Sequence, residues 1–297
     1  MVNSTNCIGN YLINCKDCSF VFDAFGLENV RYSIWVFNSK DVADCYGMGG
    51  SNNVYETIGC EDIANCSFDN IVDSSTDVFY SDLCKGSQSL FGCVGLRSKK
   101  YCILNKQYSK EEYLKLIEKI KEDMNNNPYI DKRGIVYKYG EFFPADLTPF
   151  AYNETVAQEF YPKTEQEIIS GNFKFSTPKE KNYIPTIRIG DIPDNISLVN
   201  NDFIKEIIEC KNKGKVETQC TLAFRITNEE LSFYRKQKIP LPEHCPNCRH
   251  YTRLRKHLPP KIFERICAKC KNKILTSYDP DRLEIVYCED CYKKEIY

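Results

Sequence analysis

The sequence predicts a mixed, multi-domain protein: an N-terminal β-solenoid, a capping helix, and small α+β zinc-binding modules at the C-terminus. Three observations predict it. The first hundred residues fall into a repeat of twelve. One segment near residue 110 has clear helical periodicity. The 17 Cys split into nine within 7–102 and eight within 210–291, with none between.

Written in rows of twelve from Lys16, the N-terminal residues keep one register; the rows open KDCSF, ENVRY, KDVAD, NNVYE, ANCSF, TDVFY, QSLFG and KYCIL. The third place holds Cys18, Val30, Val42, Val54, Cys66, Val78, Leu90 and Cys102, and the second is mostly Asp or Asn. The seventh place is often apolar (Phe22, Ile34, Ile58, Val94), as is the ninth (Val36, Met48, Cys60, Val72, Cys84, Leu96). Short β-prone segments, each preceded by Asx and lacking helical periodicity, read as parallel strands stacked coil on coil, with the Val and Cys places forming an internal ladder. Asn and Asp supply the turn geometry at the corners. The repeat admits a coil of 12 or 24 residues. Cys18 and Cys66 are 48 apart, as are Cys45 and Cys93, and Cys60 and Cys84 are 24 apart. Those spacings, and the room needed by Phe, Tyr and Trp35, favour a 24-residue coil with two repeats per turn.

Only Cys15-x-x-Cys18 has ligand spacing here, and Cys18 already serves the repeat. The N-terminal Cys are therefore expected to be small buried hydrophobes.

The stretch YSKEEYLKLIEKIKEDMNNNP is the helix. Ser109 and Glu112 form a capping box, and Tyr113, Leu116, Ile117, Ile120 and Met124 form an apolar stripe. Such a helix would cover the open end of the solenoid, whose strand edge and core are otherwise exposed. The aromatic, Pro-rich segment 139–162 reads as an ordered connector. Its Glu141, Asp146, Asn153 and Glu154 are expected to serve turns and caps rather than a carboxylate site. Thr164 and Glu167 form a second capping box, and 171–202 reads as an extended linker lying along a neighbouring domain.

Eight C-terminal Cys make two sets of four, the number tetrahedral Zn²⁺ takes. Cys267-x-x-Cys270 and Cys288-x-x-Cys291 form one set, with an expected hairpin between them turning at Asp279-Pro280-Asp281, and a helix starting at CEDCYKKEIY. Cys245-x-x-Cys248 pairs with Cys210 and Cys220, whose wider spacing makes a lengthened knuckle with Lys211, Lys213 and Lys215 at its tip. His244 and His250 flank that knuckle and are alternative ligands in place of Cys210 or Cys220. Thr227 and Glu230 cap the short helix that follows.

The segment CTLAFRITNEELSFYRKQKIPLPEHCPNCRHYTR resembles a zinc-ribbon family, and CAKCKNKILTSYDPDRLEIVYCEDCY is similar to a treble-clef zinc motif. LNKQYSKEEY and YGEFFPADLTPFAYNETVAQEFYP resemble segments that accompany these motifs in uncharacterised, Cys-rich proteins of metagenome-derived bacteria. The resemblance covers most of 100–297 and implies two zinc sites, but it carries no activity to transfer. The expected domains are then 1–107 for the solenoid, 108–202 for the capping helix and connector, 203–258 for the zinc-ribbon-like module and 259–297 for the treble-clef-like one.

Formal net charge is −1, so no global field favours nucleic acid or membrane. No apolar run approaches a bilayer span and the N-terminus has no export signal, so a cytoplasmic protein is expected. Four thiolates per ion leave no open coordination position, so the two Zn²⁺ are expected to be structural. No phosphate loop or nucleophile motif appears, and an enzyme would need a site the sequence does not advertise. The strongest functional signal is local. Nine Lys/Arg (Arg249, Arg253, Arg255, Lys256, Lys261, Arg265, Lys269, Lys271, Lys273) face one acid, Glu264, between 249 and 273, with Tyr251 and Phe263 interleaved for stacking. Nucleic-acid binding, centred on the first six of these cations, is the leading expectation. The alternative is a protein-interaction scaffold using the solenoid face; no membrane partner is expected.

Overall fold

The computed structural model describes residues 1–177, 183–215 and 218–296. Contacts divide the chain into two compact units, one of 1–176 with 258–297 and one of 177–257.

In the first unit the N-terminal strands stack in parallel, one register step at a time. Lys16 lies beside Glu28, Glu28 beside Lys40, Lys40 beside Asn52, Asn52 beside Ala64, Ala64 beside Thr76 and Thr76 beside Gln88, which adjoins Lys100. Every step is twelve residues, so the β-solenoid is as expected but the 24-residue coil is not: the coil is twelve. Bulky side chains do not demand the wider coil, because they point outward; Tyr32 is 58% and Trp35 41% exposed. The coil nearest the N-terminus is one residue shorter, with Cys7 beside Cys18, until a bulge at Ile8/Gly9 restores the step. Gly9 is needed there, because a Cβ would stand 1.9 Å from the Val21 carbonyl oxygen.

A finer period explains how so short a coil closes. One residue in every three has a left-handed backbone, as at Asp17, Phe20, Asp23, Gly26 and Asn29 and on to Leu104. Twelve residues thus contain four corners and four three-residue sides. Asn, Asp and Gly hold most corners, the residue types that tolerate positive φ. Corner side chains then bond from coil to coil, as Asn29 Nδ2 donates to Asp41 Oδ1 (2.6 Å) and Asn53 Nδ2 to Asn65 Oδ1 (2.8 Å).

The residue after each corner points inward. The third and ninth places do so as expected, but the seventh does not: Ile58 and Val94 are 40% and 54% exposed. The sixth place (Val21, Ser33, Cys45, Thr57, Asp69, Ser81, Cys93) and the twelfth (Leu27, Ser39, Ser51, Ile63, Ser75, Ser87) complete the interior. Three-residue sides enclose a narrow bore, so the core is built of Val, Cys, Ser and a few larger aliphatics. The inward Ser33 shows how a hydroxyl is satisfied there. Its Oγ donates to Arg31 O, two residues back, at 2.7 Å and accepts from Cys45 N of the next coil at 3.2 Å. Cys copies the pattern, with Cys66 Sγ donating to Ala64 O at 3.2 Å and Cys60 Sγ accepting from Val72 N. The abundant Cys are therefore the expected buried hydrophobes, with a weak hydrogen bond added. Burial pushes the thiols of Cys60 and Cys66 up to about 12, which keeps them protonated.

Asp69 is the exception in this interior. It is fully buried, Oδ1 accepts from Ser81 N at 2.8 Å, and Oδ2 has no hydrogen-bond partner. Burial raises its pKa well above the ordinary 3.8. The folded state then holds this proton more tightly than the unfolded one, so no ionisation penalty exists below the ordinary carboxylate range. Stability is lost as pH rises from there to the raised folded pKa. Asp69→Ser restores the pattern of the neighbouring places. It is expected to stabilise the protein at neutral pH by on the order of 1–3 kcal/mol and to flatten the pH dependence; urea midpoints followed upward in pH from the ordinary carboxylate range to neutrality would show it. Equal midpoints for both proteins across that range would refute it.

The last coil ends in Lys100–Ile103, whose edge pairs with the antiparallel Lys106–Gln107. Helix Lys110–Asn126 follows with its Ser109/Glu112 capping box in place. Its Tyr113 and Ile117 are buried with Phe91 and Ile103, so the helix covers the late coils. The loop at 139–143 joins this cluster, and Gly140 N donates to Tyr80 Oη at 2.9 Å. Glu154 accepts from Ala151 N as a cap, whereas Asp146, accepting from Tyr129 Oη, and Asn153, bonded to Ser176, tie distant segments together instead of serving turns.

In the second unit, the expected linker is partly core. Its residues 178–182 lie outside the described residues. Ile187, Ile192, Ile196 and Val199 pack with Ile208, Phe224, Leu231 and Tyr234. Helix Asn228–Gln237 carries the Thr227/Glu230 capping box. Among the described residues no helix is long and apolar enough to cross a membrane.

Candidate metal centres

Two groups of four Cys come together, Cys210, Cys220, Cys245 and Cys248 in the second unit, and Cys267, Cys270, Cys288 and Cys291 in the first. Neither His244 nor His250 belongs to them.

The first group is positioned by a hairpin and a helix. Ile208–Glu209 pairs antiparallel with Ala223–Phe224, and Cys210 N donates to Leu222 O at 2.8 Å. The loop between those strands carries Cys210 and Cys220; its residues 216–217, part of the expected lengthened knuckle, lie outside the described residues. Cys245 caps helix Pro246–Leu254, with Pro246 in its first turn, and Cys248 sits one turn in. All four Cys are buried. Cys210 Sγ lies 3.8 Å from Cys248 Sγ, and Cys245 Sγ 4.0 Å from Cys220 Sγ. A tetrahedral ion at about 2.3 Å from each sulfur separates the sulfurs by about 3.8 Å, so the spacing fits.

Donors also point at the sulfurs. Cys245 N reaches Cys210 Sγ at 3.3 Å, Gly214 N reaches Cys220 Sγ at 3.3 Å, and Thr218 Oγ1 lies 3.3 Å from Cys248 Sγ. Burial opposes ionisation of Cys245, but hydrogen bonds from Thr221 and Cys248 outweigh it and bring its pKa down to about 6. Burial holds Cys210 up at about 12. A cation would supply the charge that lets all four ionise together. Gly214, Thr218 and Thr221 are supports that the sequence did not single out; the signal was a small residue and a hydroxyl between Cys210 and Cys220 and a second hydroxyl directly after Cys220.

The second group uses a hairpin differently from the expectation. Lys273–Thr276 pairs antiparallel with Phe263–Ile266, so the hairpin folds around the Cys267–Cys270 knuckle. The chain does turn at Asp279–Asp281, where Arg282 N donates to Asp279 O at 3.1 Å, but residues 283–287 form no strand, so that turn closes no hairpin. A knuckle reverses the chain by itself, which lets the strand before it pair with the strand after. Helix Glu289–Ile296 starts at the second knuckle as expected. Cys270 Sγ is 3.6 Å from Cys288 Sγ, and Cys288 N donates to Cys267 Sγ at 3.2 Å. Burial opposes ionisation of Cys267 too, yet N–H donors from Cys288, Cys270 and Lys269 bring it to about 6.

The basic stretch is less free than its composition suggests. Arg249 pairs with Glu230 (3.5 Å) and donates to Tyr234 Oη, and Arg265 donates to the carbonyls of Asp279 and Glu284. Lys269 is bonded to Glu295, and Lys273 lies 4.0 Å from Glu264. Tyr251 is buried, so it offers no face for stacking. Arg253, Arg255 and Lys256, at the end of helix Pro246–Leu254, are exposed without an acidic partner among the described residues, as is Lys261 in the first unit.

No family model matches the chain, and no curated protein matches it either.

Proposed function

We propose that the chain is a non-catalytic zinc protein that binds nucleic acid, using Arg253, Arg255 and Lys256 beside its first four-cysteine site. The observation that carries this is three exposed cations within four residues, without acidic partners among the described residues, at the end of a short helix whose first turn supplies Cys245 and Cys248. Zinc is supported by the sulfur spacing, by four Cys per group and by the resemblance of both segments to zinc-ribbon and treble-clef motifs. With four thiolates the ion serves structure. Phosphate binding by free cations releases counterions, so it has a salt signature.

Arg253→Glu with Arg255→Glu is expected to weaken binding of a single-stranded oligonucleotide at least about tenfold at low salt. The slope of log affinity against log salt should flatten by roughly 1.4, two phosphates at about 0.7 each. Filter binding over a salt series tests this; no binding by the unaltered protein at low salt would end the reading.

A second reading, a protein-interaction scaffold, is favoured by a run of exposed apolar side chains at successive coils: Ile58, Ile71, Leu83 and Val94, each at least 40% exposed. Leu83→Asn, at a left-handed position Asn tolerates, would then abolish capture of a partner and leave oligonucleotide binding unchanged.

A further inference from the structure

We propose that the first unit carries a stacking slot for an unpaired base of a nucleic-acid strand, a site distinct from the cations of the second unit; it rests on the nucleic-acid reading above. Phe20 and Tyr32 occupy left-handed corners twelve residues apart, on successive coils. Their rings stack with centroids 5.4 Å apart and planes 12° from parallel. With Tyr161, Pro260, Lys261 and Ile262 they line a cavity of about 340 Å³, within the range of roughly 300–1,000 Å³ typical of small-ligand sites.

The rings are not there to fill a core. Phe20, Tyr32 and Tyr161 are 37%, 58% and 52% exposed. The corners that Phe20 and Tyr32 occupy favour Asn, Asp or Gly, and an aromatic L-residue there is disfavoured locally. Phe20 and Tyr32 close one face of each other, and the exposed ring surface that remains, with that of Tyr161, takes the π-face of a base, whatever its identity. Lys261, exposed and one of the lining residues, supplies the matching charge. No carboxylate lines the cavity among the described residues, so nothing there repels a phosphate. Flat apolar walls with one cation and no anion match a nucleotide unit better than a sugar, which needs several polar partners, or a peptide, which needs backbone partners.

The test compares an oligothymidylate with an abasic strand of equal length, using the full chain loaded with zinc. The unaltered protein is expected to bind the thymidylate roughly tenfold tighter or more, the contribution of a stacked base. Tyr32→Asn, which suits the left-handed corner, and Tyr161→Ala should each erase most of that difference while leaving abasic binding and the thermal midpoint unchanged. Equal binding of both strands by the unaltered protein would overturn the slot and leave the phosphate reading standing. Absence of binding to either strand at low salt would overturn both. Competition by thymidine monophosphate as effective as by the strand would make the occupant a free nucleotide and overturn the strand proposal.

Discussion

Metal analysis of the purified chain is expected to return about two zinc ions, and Cys248→Ser about one. The first site lies inside the core of the second unit, where Cys210, Cys220, Cys245 and Cys248 pack with Ile208, Phe224 and Leu231. A structural Zn²⁺ contributes an apparent ~10–16 kcal/mol, as much as the whole stability of a typical domain, about 5–15 kcal/mol. Losing it should therefore unfold 177–257, while the solenoid, whose core holds none of these sulfurs, keeps its β signal. Cys288→Ser should remove the other ion and loosen 263–296, where Leu283, Ile285 and Ile266 are 99%, 74% and 63% exposed and little but the metal can hold the fold. Metal content combined with limited proteolysis reads both effects. Zero metal in both sites would sink the assignment of these eight Cys as ligands; iron in place of zinc would sink only the identity of the ion.

Removing one whole coil should be tolerated where removing half of one is not. Deleting Asn52–Ile63 brings Ala64 to the place of Asn52, beside Lys40, and Cys66 to the place of Val54 above Val42. Every corner and inward position keeps its role, and the loss is one layer of a stack. Deleting Asn52–Thr57 preserves the period of three but leaves a coil with two sides of four. The ladder from Ala43 to Ser67 then has no layer to pair with, and buried N–H and carbonyl groups lose their partners. The first variant is expected to unfold cooperatively a few degrees below the parent, about the shift produced by ~1 kcal/mol; the second should not fold. Circular dichroism and thermal melts decide it. Unfolding of both variants would mean that the true layer is longer than twelve residues.

Much of this is legible in the chain. The row register predicts the parallel stack, the caps at Ser109, Thr164 and Thr227 are each in place, and the eight C-terminal Cys group as their spacing implies. Coil length is harder to read. Cys recurrences at 24 and 48 mark only which small residue fills an inward place, and Ser, Val and Cys fill it interchangeably. The period of three is present too: from Cys18 onward every third residue is small or aliphatic with few exceptions, and none is aromatic until the solenoid ends. Rows of twelve hide it, since no single place shows more than one side of the coil.

Local backbone preference and fixed spacing are written in the chain itself: a left-handed residue type at the corners, a small one after it, a capping pair before a helix, two Cys one knuckle apart. Where groups far apart in the chain meet is settled by folding alone. Folding assigns the hairpin to the strands around Cys267–Cys270, ties Arg249 to Glu230 and Arg265 to distant carbonyls, buries Tyr251, and brings Tyr161 and Lys261 to the rings of Phe20 and Tyr32. Charge and aromaticity are properties of a residue, but whether they face solvent, a partner or a cavity is set by packing, and packing is fixed by contacts that no local window contains.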